Sequence, residues 1–124
     1  MGRILIVDDE ESDRHLERSI LERAGHTLFF APDGEAALEA YRTHVVEVVI
    51  TDLYMPRLNG LRLIRELKAQ DPRVAVIAIS GIAEDQLDLA EDLGAISTLS
   101  KPVAPEDLMA AVDEALAARR ATWP

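Results

Sequence analysis

Residues 45–52 read Val45-Val46-Glu47-Val48-Val49-Ile50-Thr51-Asp52, an almost unbroken aliphatic run that ends in a hydroxyl and an acid. A strand with one face in water alternates apolar and polar residues; this run does not. Its composition is that of a strand covered on both faces, the usual state of a parallel strand. Val74-Ala75-Val76-Ile77-Ala78-Ile79 repeats the pattern, and shorter runs stand at Ile4-Leu5-Ile6-Val7, Leu28-Phe29-Phe30 and residues 96–99. Strands are therefore expected at 4–7, 28–30, 45–51, 74–79 and 96–99.

Helical patterns with stop signals fill the intervals. Leu16, Ile20, Leu21 and Ala24 share one face of a first helix closed by Gly25. Asp33-Gly34 opens a second helix with Ala37, Leu38 and Tyr41 inward. Asn59-Gly60 opens a third with Leu61, Ile64 and Leu67 inward, ended by Asp71-Pro72. Leu87, Ala90 and Leu93 mark a fourth before Gly94. Pro105, Glu106 and Asp107 begin a fifth that buries Leu108, Val112, Ala115 and Leu116. Five β–α units in strict alternation predict an α/β doubly wound three-layer sandwich with a parallel five-stranded sheet and right-handed crossovers.

The chain has 124 residues, a length that suits one domain. It contains no Cys, which excludes disulfides, thiolate metal sites and a Cys nucleophile. Thirteen Lys and Arg against 23 Asp and Glu leave a net charge of −10. That balance argues against nucleic acid, whose binding rests on basic contacts to phosphate, and against anionic membranes. No apolar run approaches a membrane span, and the start, MGRILIVDDE, is too acidic for a signal peptide, so a cytoplasmic location is expected. His15, His26 and His44 are scattered without metal spacing, Tyr41 reads as core packing, and Trp123 as a tail residue.

In open α/β sheets ligands bind beyond the C-terminal ends of the strands. Those ends carry Asp8-Asp9-Glu10-Glu11, Thr51-Asp52, Ser80-Gly81 and Ser100-Lys101-Pro102. Singly, each fits a solvated loop or a helix N-terminus. Together they would gather Asp8, Asp9, Asp52, Ser80 and Lys101 in one pocket. Three carboxylates repel one another and call for a cation or protons. Hard oxygen donors without His or Cys suggest Mg²⁺, with Mn²⁺ as an alternative. Metal, Lys and hydroxyl together suit phosphoryl chemistry, with one Asp as nucleophile.

The segments IVDDE, TDLYMPRLNG, ISG and LSKP, in that order, resemble the receiver domain of bacterial two-component response regulators, in its single-domain, CheY-like form. The resemblance implies a flavodoxin-like strand order 2-1-3-4-5 and a receiver unit over residues 1–118, with 119–124 a short frayed tail and no output domain. It implies Asp52 as phosphoacceptor, Lys101 and Ser80 on the phosphoryl group, and Mg²⁺ on Asp8, Asp9, Asp52 and the backbone carbonyl of Tyr54. It also implies a cis peptide at Lys101-Pro102. Met55-Pro56 and Gly60 match the loop after the acceptor. Four positions depart from the family pattern. Thr98 stands where a switch aromatic is usual, Tyr54 and Ile82 lack an acid or amide, Ala104 lacks a capping side chain, and the interval from Ser80 to Lys101 is about one residue short.

The expected function is thus a phosphorylation-dependent switch served by a histidine kinase or histidine phosphotransferase, not an enzyme turning over a metabolite. Its output would be contact with a downstream protein, onward phosphotransfer, or a phosphorylation-dependent dimer through the fourth helix, fifth strand and fifth helix. The alternative is a receiver-like module that binds its partner regardless of phosphorylation. A flavodoxin-type or phosphatase enzyme would need site features that the sequence lacks, among them a glycine-rich phosphate loop.

Overall fold

The computed structural model describes residues 2–55, 59–81 and 84–121. Pro56, Ile82 and Trp123 lie outside the described residues. Five strands, β1 Arg3–Val7, β2 Thr27–Ala31, β3 Val48–Asp52, β4 Ala75–Ser80 and β5 Ser97–Ser100, alternate with α1 Glu11–Arg23, α2 Gly34–Thr43, α3 Gly60–Gln70, α4 Glu84–Asp92 and α5 Pro105–Ala121. All pairings are parallel, in the order β2-β1-β3-β4-β5. The expected doubly wound sandwich is the observed one.

Strand alternation divides the core in two. Leu5, Val7, Val49, Val76 and Ala78 face a layer holding Ala37, Leu38, Leu63, Ile64, Leu67 and Ala90 from α2, α3 and α4. Ile4, Ile6, Val48, Ile50, Ile77 and Ile79 face Leu21 of α1 and Leu108, Val112, Ala115 and Leu116 of α5. With helices on both faces, β1, β3 and β4 have no wet side, which is why their sequences do not alternate. None of the described helices is long and apolar enough to cross a membrane.

Local chemistry sets the helix ends. Asp33 accepts from the Ala36 amide at 2.8 Å and caps α2; Asn59 accepts from the Arg62 amide at 2.9 Å and caps α3. Gly25, just past α1, takes φ 87°, and Gly94, past α4, takes φ 114°, conformations that a side chain would strain.

Three expectations are corrected. The third strand begins at Val48, not Val45. Val45 is 73% exposed, and its carbonyl and the Glu47 side chain instead hold Arg3, through its Nε at 2.6 Å and its amide at 3.2 Å. In α1 the buried residues are Glu17 and Leu21, with Ile20 packed against the core as expected; Leu16 is 53% exposed and Ala24 is exposed as well. In α3, Leu63 is fully buried, whereas Leu61 is partly buried.

The frayed start expected at Arg119 is also not found. α5 continues to Ala121 because Arg119 bonds Asp71 at 3.1 Å and Arg120 bonds Glu47 at 3.1 Å. Tyr41, partly buried against the core, donates its hydroxyl to the same Asp71 at 2.7 Å, so one carboxylate ties α2 to the last turns of α5.

Candidate functional site

Asp8 follows β1 and Asp52 ends β3, adjacent strands between which the chain reverses its direction of winding. Their backbones therefore stop side by side at the C-terminal edge of the sheet, the switch point where such folds bind ligands. Asp8 and Asp52 are both buried, as is Ser80 at the end of β4. A short register-keeping bond, Lys101 amide to Ser80 carbonyl at 3.0 Å, brings Lys101 in from the end of β5, and its peptide to Pro102 is cis.

Asp52 is held at both oxygens. Oδ1 accepts from the Tyr54 amide at 3.0 Å, and Oδ2 accepts from Lys101 Nζ at 2.8 Å. Asp8 Oδ1 accepts from the Glu10 amide at 2.9 Å, and its Oδ2 lies 4.0 Å from Lys101 Nζ. Gly60 closes the floor: a Cβ there would stand 2.4 Å from the Asp52 carbonyl oxygen and 2.6 Å from Leu53 Cα. No other residue fits where α3 starts against the acceptor loop.

A carboxylate not named from the sequence joins the cluster. Oxygens of Asp8, Asp13 and Asp52 lie within 4.8 Å of one another, while Asp9 is exposed at the mouth. Asp13 sits in the first turn of α1, and its Oδ2 accepts from Lys101 Nζ at 2.7 Å. Glu17, one turn further, is buried beside the same group.

The electrostatics follow from burial and like charge. Burial pushes Asp8 up to about 6, against the Glu10 amide and with the Asp52 charge adding to the rise. Burial likewise pushes Glu17 up to about 8, and the Asp8 charge raises it further. Burial opposes the charge on Lys101, but its bonds to Asp13 and Asp52 outweigh this and raise it above the ordinary lysine value. The pocket thus holds its ammonium on Asp13 and Asp52, beside two further carboxyls, Asp8 and Glu17, that bind protons more readily than usual, the state of a site short of positive charge.

The remaining residues named from the sequence lie around this centre. Tyr54 contributes its amide to Asp52, and the residue is 66% exposed. Thr98 lies in β5 opposite Ala78, with its hydroxyl on Glu91 of α4 at 3.4 Å. Two of the three histidines keep structural roles: His26 Nδ1 accepts from the Gly2 amide at 2.9 Å, and His44 stacks on Phe29, while His15 is exposed on α1. A cleft of about 370 Å³ lies at the opposite end of the sheet among Arg3, Glu47 and Arg119, away from every carboxylate of the cluster.

The family model described as the response regulator receiver domain matches residues 4–113. The chain belongs to the response regulator receiver domain family. This receiver domain is 32% identical over 112 residues to the alkaline phosphatase synthesis transcriptional regulatory protein PhoP of Bacillus subtilis, a match covering 89% of the chain and 46% of that protein. It spans about half the length of the curated relatives it matches first. Among solved structures, a response regulator receiver domain protein from Clostridium thermocellum superposes with TM-score 0.93 and 32% identity, over 99% of this chain and 100% of that one. A CheY-like receiver protein from Methanospirillum hungatei superposes with TM-score 0.92 and 25% identity, over 99% of each. Phosphorylation-dependent signalling is the general function of receiver domains in two-component systems.

Proposed function

We propose that Asp52 is the phosphoacceptor of a two-component switch and takes its phosphoryl group from the phosphohistidine of a histidine kinase or histidine phosphotransferase. The observation that carries the reading is the two-sided hold on Asp52: the Tyr54 amide fixes one oxygen and Lys101 faces the other. In the transfer, an Asp52 oxygen bonds to phosphorus and the P–N bond of the donor breaks. The electron pair leaves with the imidazole nitrogen, which takes up a proton. Lys101, on an Asp52 oxygen, and the hydroxyl of buried Ser80, at the end of β4, would receive the phosphoryl oxygens.

The donor set fits Mg²⁺, or Mn²⁺. It is all oxygen, buried at Asp8 and Asp52, and starved of positive charge. Asp8, Asp9, Asp52 and the Tyr54 carbonyl would hold the ion. It would supply charge neutralisation on the phosphoryl oxygens.

The output is contact with a downstream protein, onward phosphotransfer, or dimerisation through α4, β5 and α5, in a cytoplasmic setting. The protein acts as a switch and not as an enzyme on a metabolite. A second reading, partner binding independent of phosphorylation, is favoured by one observation only: Thr98 replaces the family's switch aromatic and is tied to Glu91. Intact mass after incubation with acetyl phosphate and Mg²⁺ separates the two. The switch reading predicts a gain of one phosphoryl group in wild-type protein and none in Asp52→Ala; no gain in wild type would favour the second.

A further inference from the structure

We propose that Asp13 is a positioning residue that restrains phosphorylation, because it draws on the same lysine ammonium that the phosphoryl group on Asp52 must use. The proposal rests on the phosphoacceptor reading of Asp52.

An ammonium has three N–H donors. Lys101 directs Nζ at Asp52 Oδ2, 2.8 Å, and at Asp13 Oδ2, 2.7 Å, with Asp8 Oδ2 further off at 4.0 Å. The two close partners differ in what phosphorylation does to them. Phosphorylation removes the carboxylate charge of Asp52, and the new phosphoryl oxygens take over its claim on Lys101. Asp13 is untouched by the transfer and remains a rival acceptor for the same ammonium. It reaches Lys101 across 88 residues of sequence from the first turn of α1, on a helix anchored separately by Leu21 in the core. Its side chain is only partly exposed, at 34%, so water does not cancel its charge. The phosphoryl group therefore has either to share Lys101 with Asp13 or to break that bond, and it meets Asp13 as a like charge within the same cluster.

A cation meets the opposite situation. Asp13 adds negative charge beside Asp8 and Asp52, so it favours Mg²⁺ in the resting protein. One residue thus pulls the two ligands in opposite directions, which a purely structural residue does not do, since loosening the site weakens both.

The test uses the full chain and two titrations. Beryllofluoride, a phosphoryl mimic, is titrated by calorimetry at saturating Mg²⁺; Mg²⁺ is titrated separately without it. Asp13→Asn is expected to bind beryllofluoride about five- to tenfold more tightly and Mg²⁺ severalfold more weakly, the scale of one charge-assisted hydrogen bond in a partly exposed pair. Asp13→Ser serves as a second charge-free variant should the first fail to fold. Unchanged or weaker beryllofluoride binding in the charge-free variant, with wild type binding normally, overturns the proposal alone. Failure of wild-type protein to bind beryllofluoride overturns the phosphoacceptor reading and this proposal with it.

Discussion

Glu17 is a carboxyl in the wrong place by composition and in the right place by geometry. It is buried in α1 among Asp8, Asp13 and Lys101 and takes a proton up to about pH 8. A carboxyl whose pKa is higher folded than unfolded binds more protons in the native state. Its burial is tolerated at low pH, and stability falls as pH rises from the ordinary Glu range of about 4.5 through about 8. Glu17→Gln fixes the neutral form. It is expected to be more stable than wild type at pH 8.5 by about 1–3 kcal/mol and close to it at pH 5. Urea unfolding of the metal-free proteins at the two pH values measures this, and a stability difference that does not grow with pH would remove Glu17 from the account. Neither Glu17 nor Asp13 was legible from the sequence. Positions 16 and 17 each lie one turn from an apolar residue, Ile20 and Leu21, so helical spacing admits both. Hydrophobicity selects Leu16, but the side chain that faces the core is Glu17. Asp13 reads as an ordinary first-turn acid that suits the helix dipole. Its closeness to Lys101 is a tertiary fact that only the crossing of α1 over the sheet end supplies.

Elements were far easier to read. β1 and β4 show themselves because burial on both faces removes every polar position, and Asp33 and Asn59 announce their helices by capping chemistry. The start of β3 is not legible: Val45 looks like strand, but its carbonyl, with the Glu47 side chain, holds Arg3, and Val46 packs in the core ahead of the strand. The junction of the acceptor loop with α3 depends on Gly60. Gly60→Ala is expected to push back the Asp52 carbonyl and Leu53, at a cost of about 1–3 kcal/mol, and to slow phosphorylation as the acceptor shifts. Thermal unfolding and phosphorylation rate measured side by side check it; wild-type values of both would show that the close approach is dispensable. Thr98 sets an expectation for β5. Its small side chain cannot fill space vacated by an inward motion of Ser80, so amide exchange with and without beryllofluoride should change around α4 more than in β5. A large change centred on residues 97–100 would contradict this.

At the scale of the whole molecule, a net charge of −10 and a carboxylate cluster at one sheet edge would, under the proposed function, favour a cation before phosphorylation and oppose the phosphoryl anion after it. Under the same proposal, the phosphorylated state would end when water attacks in line with the Asp52–phosphorus bond. The Tyr54 side chain offers no acid or amide to orient that water, and the residue is 66% exposed. Tyr54→Asn should therefore speed loss of phosphoryl by about tenfold at saturating Mg²⁺, a modest part of what a well-placed proton acceptor can give. Equal decay rates in the two proteins would remove Tyr54 from control of the lifetime. The central claim, transfer to Asp52, is tested most directly by trapping the acyl phosphate. After phosphorylation by a small-molecule donor, borohydride reduction converts an aspartyl phosphate to homoserine, and peptide mass spectrometry locates it. The account predicts homoserine at position 52 and nowhere else, absent when Mg²⁺ is chelated before the donor is added. Homoserine at position 8, 9 or 13, or none at all from protein that has gained a phosphoryl group, would contradict it.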